Sequence, residues 1–471
     1  MDLKTKWRPA SSGTVVPPRL KAGIGSADIT PALGMKTSCC PDVEVAKIES
    51  PLLVKVCLFQ SAGQRYAIVT ADVCSIFQDT IADVRKVVSK VTLASPENIF
   101  VTASHTHSAP YPHIAAQNFL TPFDITFLDQ EYYDRFLESV RVAATGALSK
   151  LAGIRLKYSE GSVEGLASNR RLRMPDGTIK MRWGRNDPQN LKDYPDGVID
   201  PLARCLWLEG EGGDLLGGLV NYACHPTTFS QYEQICWDYP GFARQEIEKA
   251  LQCQILFMQG CSGNIGPGKY TGSDPLADTI KLGGIVAKAV IAGYPTATVL
   301  PSGECAVFQA QLNVEKRISD TESGLQAAIE LALADYIAYR AEHPDDRRRR
   351  FLGSSLLSLV ERLLIGKQHH GRFVPVEISL LKLGDATLVF LPSEMFVEAS
   401  IRIFSEFTAL PMLITAYTDN TVQYVPTKAA YDDDSGYEAG EMWCFCGRGS
   451  LEVITERTLE MLSQLNESRN A

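Results

Sequence analysis

The chain has 471 residues, 45% of them hydrophobic, and a formal net charge of −9. That is length enough to bury one large core or two intimate ones. The acidic balance, with a sequence pI near 5.4, leaves no electrostatic footprint for nucleic acid or an anionic membrane, so both partners are excluded.

Residues 1–21 read as a loose N-terminal arm without the apolar core of a secretory leader. No later stretch offers roughly 18 apolar residues free of charges and breakers. A cytoplasmic protein with no integral membrane segment is the expectation. The cysteines are scattered, with Cys39 beside Cys40 and Cys444 two residues before Cys446. Neither pair has zinc-ribbon or Cys-x-x-Cys spacing, so reduced thiols are expected.

Structure is expected to begin with RLKAGIGSADITP, a strand-like run closed by Pro31. SPLLVKVCLFQSAGQRYAIVTADVCSI then reads as two strands joined by a polar turn at about 61–65, with Asp72 at the end of the second. That acid either approaches a cleft or serves as a cap or loop acceptor, and the second role is preferred. Helical periodicity over 78–91 precedes the strand of NIFVTASHTHSAP, residues 98–110. Strand, helix, strand is the signature of an α/β layer, in which ligands gather at the carboxyl ends of strands. On an extended segment i and i+2 share a face, so His105 and His107 can address one site. Metal ligation and plain backbone hydrogen bonding both remain open for them.

A helix is expected over 130–151, then short strands around the polar excursion ASNRRLRMPDGTIKMRWGRNDPQN with Arg170, Arg171, Arg173 and Arg182. Such density reads as a solvated loop from which a single inward arginine could hold a carbonyl or carboxylate. GGLVNYACHPTTFS repeats the earlier logic, a strand that carries His225 to its end before Pro226 stops it. A helix over about 239–251 and the strand QILFMQG lead to CSGNIGPGKYTGSD. This loop lacks the phosphate-binding fingerprints and instead suits backbone donors turned to an oxyanion.

Helices are expected over 276–292, 322–342 and 353–366, the last two separated by HPDDRRRR, read as a solvated turn. The strands VPVEISLLKLG and ATLVFLP turn at Gly384 and Asp385, and the second delivers Glu394 to its end. A helix over 395–409, the strand PMLITAYT, a segment bearing Tyr424, Tyr431 and Tyr437, and a helix over 449–465 complete the chain. The acidic run Asp432, Asp433 and Asp434 meets either a cationic substrate or water. Cleft shape is expected to depend on residues 111–128, 169–195 and 315–372.

His105, His225 and Glu394 thus each end a strand, and two imidazoles with one carboxylate is a composition found at catalytic zinc. ADITP, SHTHSAP, NYACHPT, the pair Asn169 and Arg170, VEISLLKLGDATLVFLPSE and QYVPTKAAYDDDSGYEAG occur in that order over about residues 22–450. Together they resemble the catalytic domain of the neutral ceramidase family. The resemblance implies an α/β fold of mixed β-sheets flanked by helices, one domain over 22–471 with a helical insertion at about 315–372. It implies one zinc ion (Zn2+) held by His105, His225, Glu394 and Tyr424, the last matching a Tyr-Ile/Val-Thr-Thr motif that here reads Tyr424, Val425, Pro426, Thr427. His107 matches a histidine that contacts the substrate or supports the ligands, Arg170 the arginine near the substrate carbonyl, and Tyr437 the tyrosine that helps hold the oxyanion.

Two departures accompany the likeness. Where the family has a serine in Ser-Pro-Asn, the aligned residues are Asn264, Ile265, Gly266 and Pro267, with Ser262 four positions away. The family's immunoglobulin-like C-terminal domain and secretion signal are not expected either. The resulting expectation is a ceramidase-like zinc amidohydrolase of lipid metabolism in which activated water cleaves an N-acyl bond, in a substrate smaller or more polar than ceramide. Ester or lactone hydrolysis, a non-hydrolytic biosynthetic step, and an inactive metal-containing binding protein are the alternatives. A homo-oligomer is compatible with the sequence.

Overall fold

The computed structural model describes residues 20–184, 191–301, 303–317, 321–343, 346–408, 411–418, 421–433 and 436–470. Nearly all of the predicted arm therefore lies outside the described residues. Strand begins at Lys21.

Thirteen strands form one mixed sheet. Its path runs Gln254–Gln259, Leu215–Tyr222, Leu202–Gly210, Ala152–Ser162, Lys21–Asp28 and Leu53–Ser61 through one half. It continues Gln64–Ala71, Ile99–Ala103, Met412–Thr418, Ala386–Pro392, Phe373–Leu383 and Cys305–Glu315 through the other. Tight turns set the hairpins, as at Gly384, whose φ of 58° suits a residue without a side chain between two paired strands.

Period-two alternation then sorts the layers. Along Leu202–Gly210, Leu206 and Leu208 enter a core shared with Cys57, Phe59, Ile68 and Phe390. Cys205 and Trp207 turn the other way, onto Tyr239, Ala243, Leu282 and Val286 of helices Asp238–Leu251 and Pro275–Gly293. The sheet therefore doubles over, its two halves packed face to face and its outer faces covered by helices. Val54, Val56 and Leu58 meet helices Gln78–Thr92 and Gln130–Ser149 through Val84, Phe136 and Val140. Val376, Ile378 and Ile414 meet helices Val397–Glu406 and Ser450–Asn470 through Ile403, Ile454 and Leu462. Gly25 permits the close approach of helix Gln130–Ser149, since a Cβ there would lie 1.9 Å from the Ala143 carbonyl oxygen.

The long helices fall where periodicity places them, with three differences. HPDDRRRR does not hold a solvated turn of arginines: helix Arg347–Gln368 starts on them, with Asp346 capping by accepting from Arg348 N at 2.9 Å. A short helix, Ile114–Leu120, is too brief to show a period. Asp72 does not cap the next helix. Its carboxylate accepts from Leu53 N at 3.0 Å and closes a two-pronged ion pair with Arg244 at 3.1 and 2.7 Å. Helices Glu322–Glu342 and Arg347–Gln368, which in sequence join Cys305–Glu315 to Phe373–Leu383, pack on each other and on the first helical layer. All twelve cysteines are unpaired, and among the described residues no helix is long and apolar enough to cross a membrane.

Candidate metal centre

Strand ends from both sheet halves converge on one rim. Ile99–Ala103 and Met412–Thr418 run antiparallel and meet only near their carboxyl ends, with Thr102 opposite Thr418. Leu215–Tyr222 is brought over the same point by Asn221, whose Nδ2 donates to Met258 O at 2.8 Å and to Ile414 O at 2.9 Å. His105 follows Ile99–Ala103, His225 follows Leu215–Tyr222 and Glu394 follows Ala386–Pro392, the neighbour of Met412–Thr418, and Tyr424 enters through a parallel bridge opposite Glu394.

The Nε2 atoms of His105 and His225 lie 2.8 Å apart. Glu394 Oε2 stands 3.4 Å from the first and 3.7 Å from the second. Outside this focus each ring is fixed by its other nitrogen, His105 Nδ1 against Cys74 O at 2.5 Å and His225 Nδ1 against Ser262 O at 3.1 Å. An imidazole that donates from Nδ1 to a carbonyl presents the Nε2 lone pair inward, the tautomer that a metal requires. Glu394 Oε2 is buried and makes no hydrogen bond among the described residues. Two inward lone pairs beside an open carboxylate oxygen, all mutually within 4.8 Å, fit a zinc ion.

Tyr424 sits one step out, its hydroxyl 3.5 Å from His225 Nε2 and 3.2 Å from the Tyr437 hydroxyl. Burial, with the Glu394 and Tyr437 charges, pushes the Tyr424 phenol well above its ordinary range. Arg170 Nη2 lies 3.4 Å from that hydroxyl and also donates to Gly263 O, while its guanidinium covers the Tyr424 and Tyr437 rings at 5.7 and 5.3 Å. Burial lifts the Tyr437 phenol to about 12 even with Arg170 opposing. His107 Nε2 stands 3.3 Å from His105 Nε2, and burial, with His105 and Arg170 near it, holds His107 well below the usual imidazole range. His225 is lowered in the same way, by burial first and then by Arg170.

His105, His107, Arg170, Glu394, Tyr424 and Tyr437 all line one cleft of about 660 Å³, with His225 directly behind them. The reason His105 and His107 meet differs from the one expected. The strand stops at Ala103, and His105 has φ 65°, so a left-handed turn and not an extended alternation pairs the rings. The arginine excursion is not a solvated loop with one inward member either. Arg170 and Arg182 are both buried, Arg182 on the carbonyls of Leu191, Tyr194 and Pro195, while Arg171 binds Asp433 and Glu438. Only Arg173 of the four is exposed.

In the glycine-rich loop, the N–H groups of Gly263, Ile265 and Tyr270 are used internally, on Met395 O, Ser262 O and Pro267 O, so these three are not oxyanion donors. Ser262 faces away from the cleft toward Gln259 and Tyr417, with oxygen-to-donor distances of 2.8 and 2.9 Å. Asp433 is committed to Arg171 and Arg173, and Asp432 to Arg448. Asp434 lies outside the described residues. Tyr431 bonds to Cys446 O at 2.9 Å, away from the cleft.

Four contributors were not singled out by sequence. Tyr417 stacks 4.2 Å from His105 and places its hydroxyl 3.3 Å from His225 Nδ1. Cys74 has its thiol within reach of His105 and His107. Trp183, largely exposed, stacks on Tyr437 at 5.2 Å. Glu361 lines the same cleft. Of these only Trp183 left a signal, an isolated large aromatic inside a polar stretch.

Fold and site together define an α/β scaffold with an imidazole and carboxylate focus at its strand ends. The chain belongs to the neutral/alkaline non-lysosomal ceramidase family, whose N-terminal family model matches residues 21–266. The fold is shared with neutral ceramidase from Pseudomonas aeruginosa, at 18% identity and a TM-score of 0.67 over 96% of this chain and 75% of that one. It is shared too with a ceramidase complexed with C2, at 17% identity and a TM-score of 0.66 over 96% of this chain and 76% of that one. No curated protein matches in sequence.

Proposed function

We propose that the chain is a zinc-dependent hydrolase that cleaves the amide bond of an N-acyl compound. The observation that carries this reading is the focus of His105 Nε2, His225 Nε2 and the unbonded Glu394 Oε2 at the floor of a cleft. His105, His225 and Glu394 would hold the ion, and Tyr424, its hydroxyl 3.5 Å from His225 Nε2, would complete the set from the Arg170 side. Zinc, when bound, polarises a carbonyl and brings the pKa of water down to about 7.

The chain's own groups supply the rest. Burial keeps His107 neutral, so it takes the proton of the attacking water and returns it to the departing nitrogen. Arg170 and Tyr437 stand on the other side of the focus, and their N–H and O–H groups donate to the oxygen as it gains charge. Tyr437 suits that task because a phenol lifted to about 12 keeps its proton at neutral pH. Trp183, stacked on it, fixes the ring. The serine expected of the family has no counterpart in these steps. The cleft wall of Arg350, Ser354, Glu361, Gln231 and Gln423 suits a substrate more polar than ceramide. Twelve free thiols suit a reducing compartment, and we assign the chain to the cytoplasm.

The test is zinc quantification on the wild type, His225→Ala and Glu394→Gln, alongside a panel of N-acyl amides, ceramide, esters and lactones. One zinc per chain and amide cleavage, both lost in the variants, are expected. Full activity in zinc-free protein would sink the proposal, and turnover confined to esters or lactones would replace the amide by that bond.

A further inference from the structure

The cleft lined by His105 and Glu394 has a second buried acid in its lining. Glu361 lies on helix Arg347–Gln368 and is 1% exposed. Its Oε2 accepts from Gln423 Nε2 at 2.7 Å, and the same nitrogen donates to the Tyr111 hydroxyl at 3.1 Å. Its Oε1 is buried and has no hydrogen-bond partner among the described residues, although the side chain lines the same cleft as His105, His107 and Glu394.

The basic groups nearby are already engaged. Arg350, on the same helix and the same wall, pairs with Glu233 at 3.1 Å, and His113 pairs with Asp79 at 3.1 Å. Burial pushes the Glu361 carboxyl up to about 7, against the opposing pull of His113, Tyr111 and Gln423. A desolvated carboxylate with one open oxygen is costly to the fold, and a charged donor offsets that cost better than a neutral one because it restores both the hydrogen bond and the charge balance.

We propose that Glu361 is the specificity-determining acceptor of the cleft and binds an ammonium group carried by the substrate at a distance from the scissile amide. The choice of bond rests on the amide-hydrolase reading above, whereas the contact with Glu361 does not. A competing role is purely mechanical. Glu361 holds Gln423, whose carbonyl accepts from Glu394 N at 2.9 Å and which precedes Tyr424. A strut of that kind would slow every substrate alike, whereas an acceptor changes the ranking between substrates.

The experiment compares mono-N-acetyl diamines of increasing chain length with N-acetyl alkylamines of equal length, using zinc-loaded wild type and Glu361→Gln. Wild type is expected to favour the ammonium member by at least about tenfold in kcat/KM at one chain length, and Glu361→Gln to bring that ratio to about one. Glu361→Met, of similar volume, gives the same ratio if the first variant fails to fold. Calorimetric binding of the free diamines and alkylamines to the same proteins needs no turnover. Diamine binding that depends on Glu361, without hydrolysis of any amide, overturns the amide reading and keeps the acceptor. Amide hydrolysis with no ammonium preference in either measurement, or an equal loss on both series, overturns the acceptor and keeps the amide reading.

Discussion

Asp72 and Glu394 each follow the end of a sheet strand by no more than two residues, and each is nearly removed from solvent. Around Asp72 the hydrogen-bonding capacity is filled, by both prongs of Arg244 and by Leu53 N. Around Glu394 it is left open, with Oε2 unbonded and two imidazole nitrogens turned toward it. Burial costs both acids their hydration, but only the first regains it inside the protein. An acid at a strand end is therefore a structural strut or a ligand according to what faces it.

The largest effect expected from this contrast is at the open site. His225→Ala or Glu394→Ala should remove bound zinc and lower hydrolysis on the order of a thousandfold or more, because several kcal/mol of transition-state stabilisation go with the ion; metal analysis and steady-state rates measure both. At the closed site, Asp72→Ala leaves Arg244 buried and unpaired. It should cost about 3–5 kcal/mol in urea unfolding while zinc stoichiometry holds at one. Glu394→Gln in metal-free protein should leave stability unchanged or raise it by about 1 kcal/mol. A loss as large as that of Asp72→Ala would erase the distinction between the two acids.

Next in size is Tyr437→Phe, which removes one donor without touching the ion. A fall of about a hundredfold in kcat with zinc retained is expected, and an unchanged kcat would leave the oxyanion to Arg170. The smallest effect is on pH dependence, and it belongs to Glu361. Tyr111, His113 and Asp79 are the titratable groups that act on it. Its folded pKa of about 7 lies above the ordinary 4.5, so its stabilising contribution is full below 4.5 and is lost as pH rises through 7. Glu361→Gln should therefore gain stability relative to wild type between pH 5 and 8, and parallel unfolding curves over that range would contradict the raised pKa.

Sequence made the residues that meet at the focus legible because each combines a recognisable residue type with a strand end, which is local information. His105, His225 and Glu394 needed no more than that. Glu361 and Tyr417 sit inside ordinary helical and strand patterns, and their roles come from contacts with residues far along the chain, such as Gln423 and His225. The same limit explains the arginines. Density in sequence says nothing of the carbonyl cradle that Leu191, Tyr194 and Pro195 build around Arg182. Pairing of His105 with His107 was expected for the wrong backbone geometry, since the left-handed turn at His105 leaves no mark in composition.

That turn has company. Ser393, Tyr417 and Gln423 have φ of 59°, 58° and 55°, so left-handed backbone recurs beside Glu394, beneath His105 and beside Tyr424. The residues of the focus are spread from residue 105 to residue 424 and are drawn from both halves of the doubled sheet. During synthesis His105 and His225 emerge long before Glu394 and Tyr424, and no local segment can assemble the focus early. The focus is complete only once strand Met412–Thr418 lies between Ile99–Ala103 and Ala386–Pro392, so capture of the proposed ion would be a late event. On the proposed zinc assignment, metal content would report whether a molecule has finished folding, the ion joining the parts of the chain made first to those made last.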